Sequence, residues 1–72
     1  MKDVLRYKDF IGSVHFGAED DCFFGRIECI EDLVSFEGRD IEGLKRSFRE
    51  AVEDYIELCH KAGKPLFKSY GG

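Results

Sequence analysis

The chain has 72 residues, of which 43% are hydrophobic and 36% charged, and its formal net charge is −4. A chain of this length has room for one thin core, so we expect a single domain over residues 1–72. The charged start leaves no apolar signal segment and no apolar run approaches the ~20 residues of a membrane span, which together predict a cytoplasmic protein. The acidic balance argues against nucleic-acid binding by this chain.

Alternation of apolar and polar residues with a period of two predicts three antiparallel strands. In the first strand Val14 and Phe16 point to the predicted core, and in the second Phe23, Gly25 and Ile27 do so. A glycine inside a strand indicates a bulge or a close backbone approach. The predicted strands are residues 11–16, 22–28 and 33–37, and residues 4–7 are an edge strand or an extended lead-in.

One long amphipathic helix follows the strands. From Asp40 to Ala62 the apolar residues repeat with a period of 3.6. Asp40 is a suitable N-cap, and Gly63 with Pro65 beyond it marks the end. The sequence therefore predicts an α+β domain in which a three-stranded antiparallel sheet packs against this helix.

Cysteines and histidines occur at spacings that match no zinc-binding or catalytic pattern. We therefore expect reduced, mostly buried thiols, and neither a catalytic residue, a metal site nor a cofactor. These residues are Cys22, Cys29, Cys59, His15 and His60.

A family resemblance is carried by several short runs in a fixed order. They are residues 7–16, 24–27 (FGRI), 34–38 (VSFEG), 51–59 (AVEDYIELC) and 63–65 (GKP). No single run is specific, but their order and spacing together resemble the HicB antitoxins. The resemblance covers nearly the whole chain, from residue 7 to residue 71.

The resemblance implies a HicB-like sandwich, akin to a reduced ribonuclease H or double-stranded-RNA-binding fold, and a role in a type II toxin–antitoxin pair. Such a domain binds a HicA-type toxin, which cuts mRNA, and covers its active site. Family members usually continue into a DNA-binding segment, whereas this sequence stops at Gly72. We therefore expect no direct DNA binding from this chain.

Acidic residues gather around the second and third predicted strands. An acidic patch complements a basic, RNA-handling partner and speeds association with it. A solvated strand face accounts for the same acids, because Asp and Glu are mostly exposed in proteins. The predicted partner-binding residues are Glu28, Glu31, Asp32 and Glu37.

Other interpretations remain open at this point. Glu28 and Glu37 could hold a divalent ion in a degenerate nuclease, which requires carboxylates that converge on paired metal ions. The chain could also be an orphan oligomerisation domain that has lost its toxin, and the edges of a small sheet favour a homo-oligomer, first of all a dimer. On the helix, Lys45, Arg46 and Arg49 form either a solvated face or a grip for an acidic partner.

Overall fold

The computed structural model describes residues 4–28, 30 and 32–65. It is an α+β structure in which one long helix packs on an antiparallel sheet, as predicted. The prediction of three strands is wrong, because the sheet contains five strand segments. In chain order, the elements are β1 (Val4–Tyr7), β2 (Phe10–Ser13), β3 (His15–Gly17), β4 (Cys22–Glu28), β5 (Ser35–Gly38) and α1 (Ile41–Ala62).

Strand β4 lies at the centre of the sheet. One edge of β4 pairs with β2 and β3, and its other edge pairs with β5. Strand β1 pairs with the edge of β2 that faces away from β4. The predicted strand 11–16 is thus divided into β2 and β3 at Val14. The register on β4 is nevertheless continuous, because Gly12 pairs with Ile27 and His15 with Phe24. No residue is inserted at the break.

The break at Val14 arises from a close approach of two backbones. A Cβ atom placed on Gly25 would lie 1.7 Å from the carbonyl oxygen of Ser13. In addition, the backbone N–H of Arg26 donates to the Ser13 hydroxyl over 3.1 Å. A hydrogen bond to a side chain thus takes the place of the backbone hydrogen bond that would continue the pairing of β2 with β4. The close backbone approach predicted at Gly25 is confirmed.

One face of the sheet, which we call the helix-covered face, lies under α1. The alternation predicted for the second strand is confirmed, since Gly25 and Ile27 are buried and their neighbours in β4 are exposed. Phe16 is the exception to the predicted core, with 54% of its surface exposed. It packs on Phe23, but α1 lies mainly over β5 and leaves this end uncovered. The buried apolar residues are Phe10, Ile27, Ile30, Phe36, Leu44, Phe48, Val52, Tyr55 and Cys59.

The ends of α1 are capped as predicted. The Asp40 side chain accepts from the N–H of Gly43 at 2.6 Å, and Gly63 adopts a left-handed φ of 68°. The 22-residue helix is about 33 Å long, whereas the seven residues of β4 span about 23 Å. Of the described residues, no helix combines the length and apolar character that crossing a membrane requires.

Candidate partner-binding face

The surface opposite α1 is the candidate functional site, and we call it the open sheet face. Residues that pair across antiparallel strands lie on the same face, so the register assigns its members. His15, Phe24 and Glu37 form one row, and Arg26 and Ser35 form the next. We restrict the name open sheet face to its exposed members on β3, β4 and β5, which are His15, Phe24, Arg26, Glu28, Ser35 and Glu37.

Phe24 lies at the middle of this face, on the central strand. It keeps 45% of its surface exposed. The His15 ring stacks against it, with centroids 5.4 Å apart and an interplanar angle of 29°. Beside the ring is a depression of about 490 Å³, bordered by Arg26 and Glu37. Exposed aromatic residues within polar surroundings are typical of protein interfaces.

Charges of both signs surround Phe24. Arg26 and Glu28 are two residues apart on the same side of β4, and Glu37 pairs directly with Phe24. None of these three charges forms an ion pair with another residue in the described part of the chain. They are consequently solvated and available to a partner, and the face is mixed in charge rather than acidic.

The structure separates the three described residues among those predicted to bind a partner. Glu28 and Glu37 share the open sheet face, but Glu28 lies four positions along β4 from Phe24, the partner of Glu37. That spacing is about 13 Å along the strand. Glu31 lies outside the described residues. Glu28 and Glu37 therefore do not form one compact acidic patch.

Asp32 takes part in a different arrangement, below the last turns of α1. Lys64 donates to its carboxylate. The hydrogen bond from Lys64 holds the pKa of Asp32 below its usual value. Burial raises the pKa of the nearby Tyr55 hydroxyl, which therefore stays protonated. Asp32 thus fastens the connection between β4 and β5 to the helix end.

Geometry does not favour the divalent-metal alternative. Two-metal hydrolytic sites hold their ions about 3.5–4 Å apart by carboxylates that converge. Glu28 and Glu37 are too widely spaced for that arrangement, as the strand register shows. Among residues 4–28, 30 and 32–65, no group of three His, Cys, Asp or Glu residues could hold a metal ion.

Sequence reasoning placed Phe24 on the polar side of β4 but gave it no role. The signal that could have identified it is the succession of Phe23 and Phe24, which puts one large aromatic on each face of a strand. Leu33, which is 77% exposed, was also overlooked because it was assigned to the third strand. The strand begins only at Ser35.

The chain was also compared with protein-family models, with curated proteins and with solved structures. None of the three comparisons found a match.

Proposed function

We propose that this chain is the toxin-neutralising domain of a HicB-like antitoxin, and that its open sheet face covers a HicA-like ribonuclease. The observation that carries the proposal is Phe24, a large aromatic exposed on the central strand. The ordered motifs described above support it as well. In this role the chain needs no catalytic residue, because it acts by covering the active site of its partner.

The surroundings of Phe24 have the character of a binding hot spot. An aromatic anchor supplies most of the binding energy once it is desolvated, and the polar rim excludes water. Here Arg26 and Glu37 border the depression beside the ring. Glu28 and Glu37 are free to contact basic side chains, which an RNA-handling partner must carry.

Co-expression with a HicA-like toxin encoded beside this chain tests the proposal. The wild-type chain should restore growth and co-purify with the toxin. Phe24→Ala should weaken binding by about 30-fold, the loss expected when a hot-spot aromatic is truncated. Phe16→Ala is the matched control, because Phe16 is at least as exposed as Phe24 but lies on the opposite side of the sheet. It should change the affinity by less than about twofold.

Charge reversals on the same surface refine the test. Glu37→Lys should slow association with a basic toxin, and the difference should shrink in high salt. Glu57→Lys on the exposed side of α1 is its control, with the same change in net charge. Toxicity that persists with the wild-type chain, or equal binding by the Phe24→Ala and wild-type chains, would contradict the proposal.

A further inference from the structure

A second surface, separate from the open sheet face, lies along the edge of the sheet. A groove of about 380 Å³ runs between β1 and the first half of α1, and we call it the β1–α1 groove. Leu5, Tyr7 and Phe48 give it an apolar floor, and Lys45 and Arg49 line its helix side. None of the described residues that line the groove is acidic, although the whole chain carries a net charge of −4.

The carboxylate one helical turn beyond the groove is already engaged. Glu53, one helical turn after Arg49, accepts a hydrogen bond from the Tyr7 hydroxyl at 2.6 Å and pairs with Lys8 at 2.8 Å. It therefore does not neutralise Lys45 or Arg49, both of which are exposed and form no ion pair with a described residue.

The outer edge of β1 carries backbone N–H and C=O groups that no described strand pairs with. Within the described residues, β1 pairs only with β2. The turn between them has two central residues, Lys8 and Asp9, with φ of 48° and 68°, as in a type I′ hairpin. The two residues that flank this turn form a hydrogen-bonded pair. Along the rest of β1 and β2, non-hydrogen-bonded and hydrogen-bonded pairs alternate. The N–H and C=O groups of Val4 and Arg6 consequently point outward.

We propose that the β1–α1 groove binds an extended acidic segment of another protein, which adds to the sheet as a strand beside β1. Strand addition satisfies the outward backbone groups of an edge strand, while side chains give specificity. Lys45 and Arg49 are four residues apart, which is about 6 Å along a helix. Same-face side chains of a strand repeat every two residues, or about 6.8 Å. Asp or Glu at alternate positions therefore matches the two cations.

The observations favour a peptide over the other occupants. A nucleic acid would make no use of the strand edge, because its backbone has no amide groups that could continue the ladder of the sheet. A second copy that paired through its own β1 would bring Lys45 and Arg49 of both copies together, and like charges oppose that contact.

A labelled peptide in which Glu and Val alternate is the probe, with the full chain and fluorescence anisotropy as the readout. We expect saturable binding that weakens with salt. The matching Lys–Val peptide should not bind. N-methylation of the amides that face β1 should weaken the Glu–Val peptide by at least about tenfold, because it removes the donors of the added ladder.

Charge reversal locates the binding. Lys45→Glu with Arg49→Glu should abolish binding of the Glu–Val peptide, whereas Arg46→Glu with Lys61→Glu, the same net change outside the groove, should weaken it by less than about threefold. Circular dichroism verifies that each variant keeps its helix, and Lys45→Gln with Arg49→Gln serves if the reversed pair does not fold.

Several outcomes would overturn the inference. They are equal binding by the two reversed pairs, unchanged binding of the N-methylated peptide, or tighter binding of a single-stranded RNA oligonucleotide at the same groove. Self-association that sedimentation detects in the wild-type chain and not in the groove variant would assign the groove to a second copy instead.

Discussion

Phe36 and Phe24 lie one register position apart on neighbouring strands, yet they have opposite surroundings. Phe36 points to the helix-covered face, is 6% exposed and packs on Phe48 with ring centroids 5.0 Å apart. Phe24 points away from α1 and remains 45% exposed beside His15. One aromatic serves the core, and the other is available at the surface.

The difference teaches how a two-layer domain divides its apolar residues. A single helix can cover only one side of a sheet, so every apolar residue on the other side is exposed unless something else binds there. On the helix-covered face the glycines Gly12 and Gly25 make room for aromatic rings. On the open sheet face charged residues flank the ring instead. The two faces are therefore separable by mutation.

The largest effect expected is from truncating the buried aromatic. Phe36→Ala should destabilise the chain by about 3–5 kcal/mol, because it leaves a cavity beneath α1. Phe24→Ala should cost about 1 kcal/mol, because the ring is already half exposed. Urea unfolding followed by circular dichroism measures both. Similar losses in the two variants would show that the faces do not differ as described.

A smaller effect is expected from adding one methyl group at two glycines. Gly25→Ala should cost about 1–3 kcal/mol, since its new Cβ would collide with the Ser13 carbonyl and strands β2 and β4 would have to move apart. Gly17→Ala is the control on the opposite side of the sheet. Its nearest neighbour would be the Phe24 ring, 3.3 Å from the new Cβ. It should change stability by less than about 0.5 kcal/mol, and an equal cost at both positions would rule out the close approach.

The smallest effect concerns pH and the rim of the helix-covered face. Hydrogen bonds from Lys8 and Tyr7 lower the pKa of Glu53. A carboxyl whose pKa is lowered on folding stabilises the native state above its unfolded pKa, and this contribution is lost as the pH falls through the folded pKa. Stability should therefore decrease as the pH is lowered from about 6 towards about 3, a range that contains the usual pKa of a Glu carboxyl.

Urea midpoints measured across this pH range check the assignment. Glu53→Gln should flatten the decrease, because its side chain no longer titrates. Glu28→Gln on the open sheet face should keep the wild-type slope, since Glu28 forms no ion pair with a described residue. If Glu53→Gln leaves the dependence of stability on pH unchanged, the acid sensitivity arises from other groups.

The helix was predictable from sequence because its information is local. The 3.6 period and the caps at Asp40 and Gly63 lie within a single stretch of chain, and the buried stripe from Leu44 to Cys59 follows them. The full strand β1 was less evident. Its turn at Lys8 and Asp9 requires positive φ without the Gly or Asn that usually indicates such a turn.

The candidate site was predictable only in part, because it depends on contacts between distant segments. Strand alternation assigned Glu28 and Glu37 to the polar side of the sheet. It gave no sign that Asp32 is bound by Lys64, which lies 32 positions further along the chain. Likewise, the exposure of Phe16 depends on where α1 crosses the sheet, and the local periodicity of the sequence carries no information about that position.

The hydrogen bond between Tyr7 and Glu53 has a consequence for biosynthesis. These residues are 46 positions apart. At the usual synthesis rate of about 5–20 residues per second, the ribosome adds Glu53 roughly 2–9 s after Tyr7. The β1–β2 hairpin therefore emerges with its apolar side, including Leu5 and Phe10, uncovered. Chaperones have those few seconds to bind it before the helix is complete.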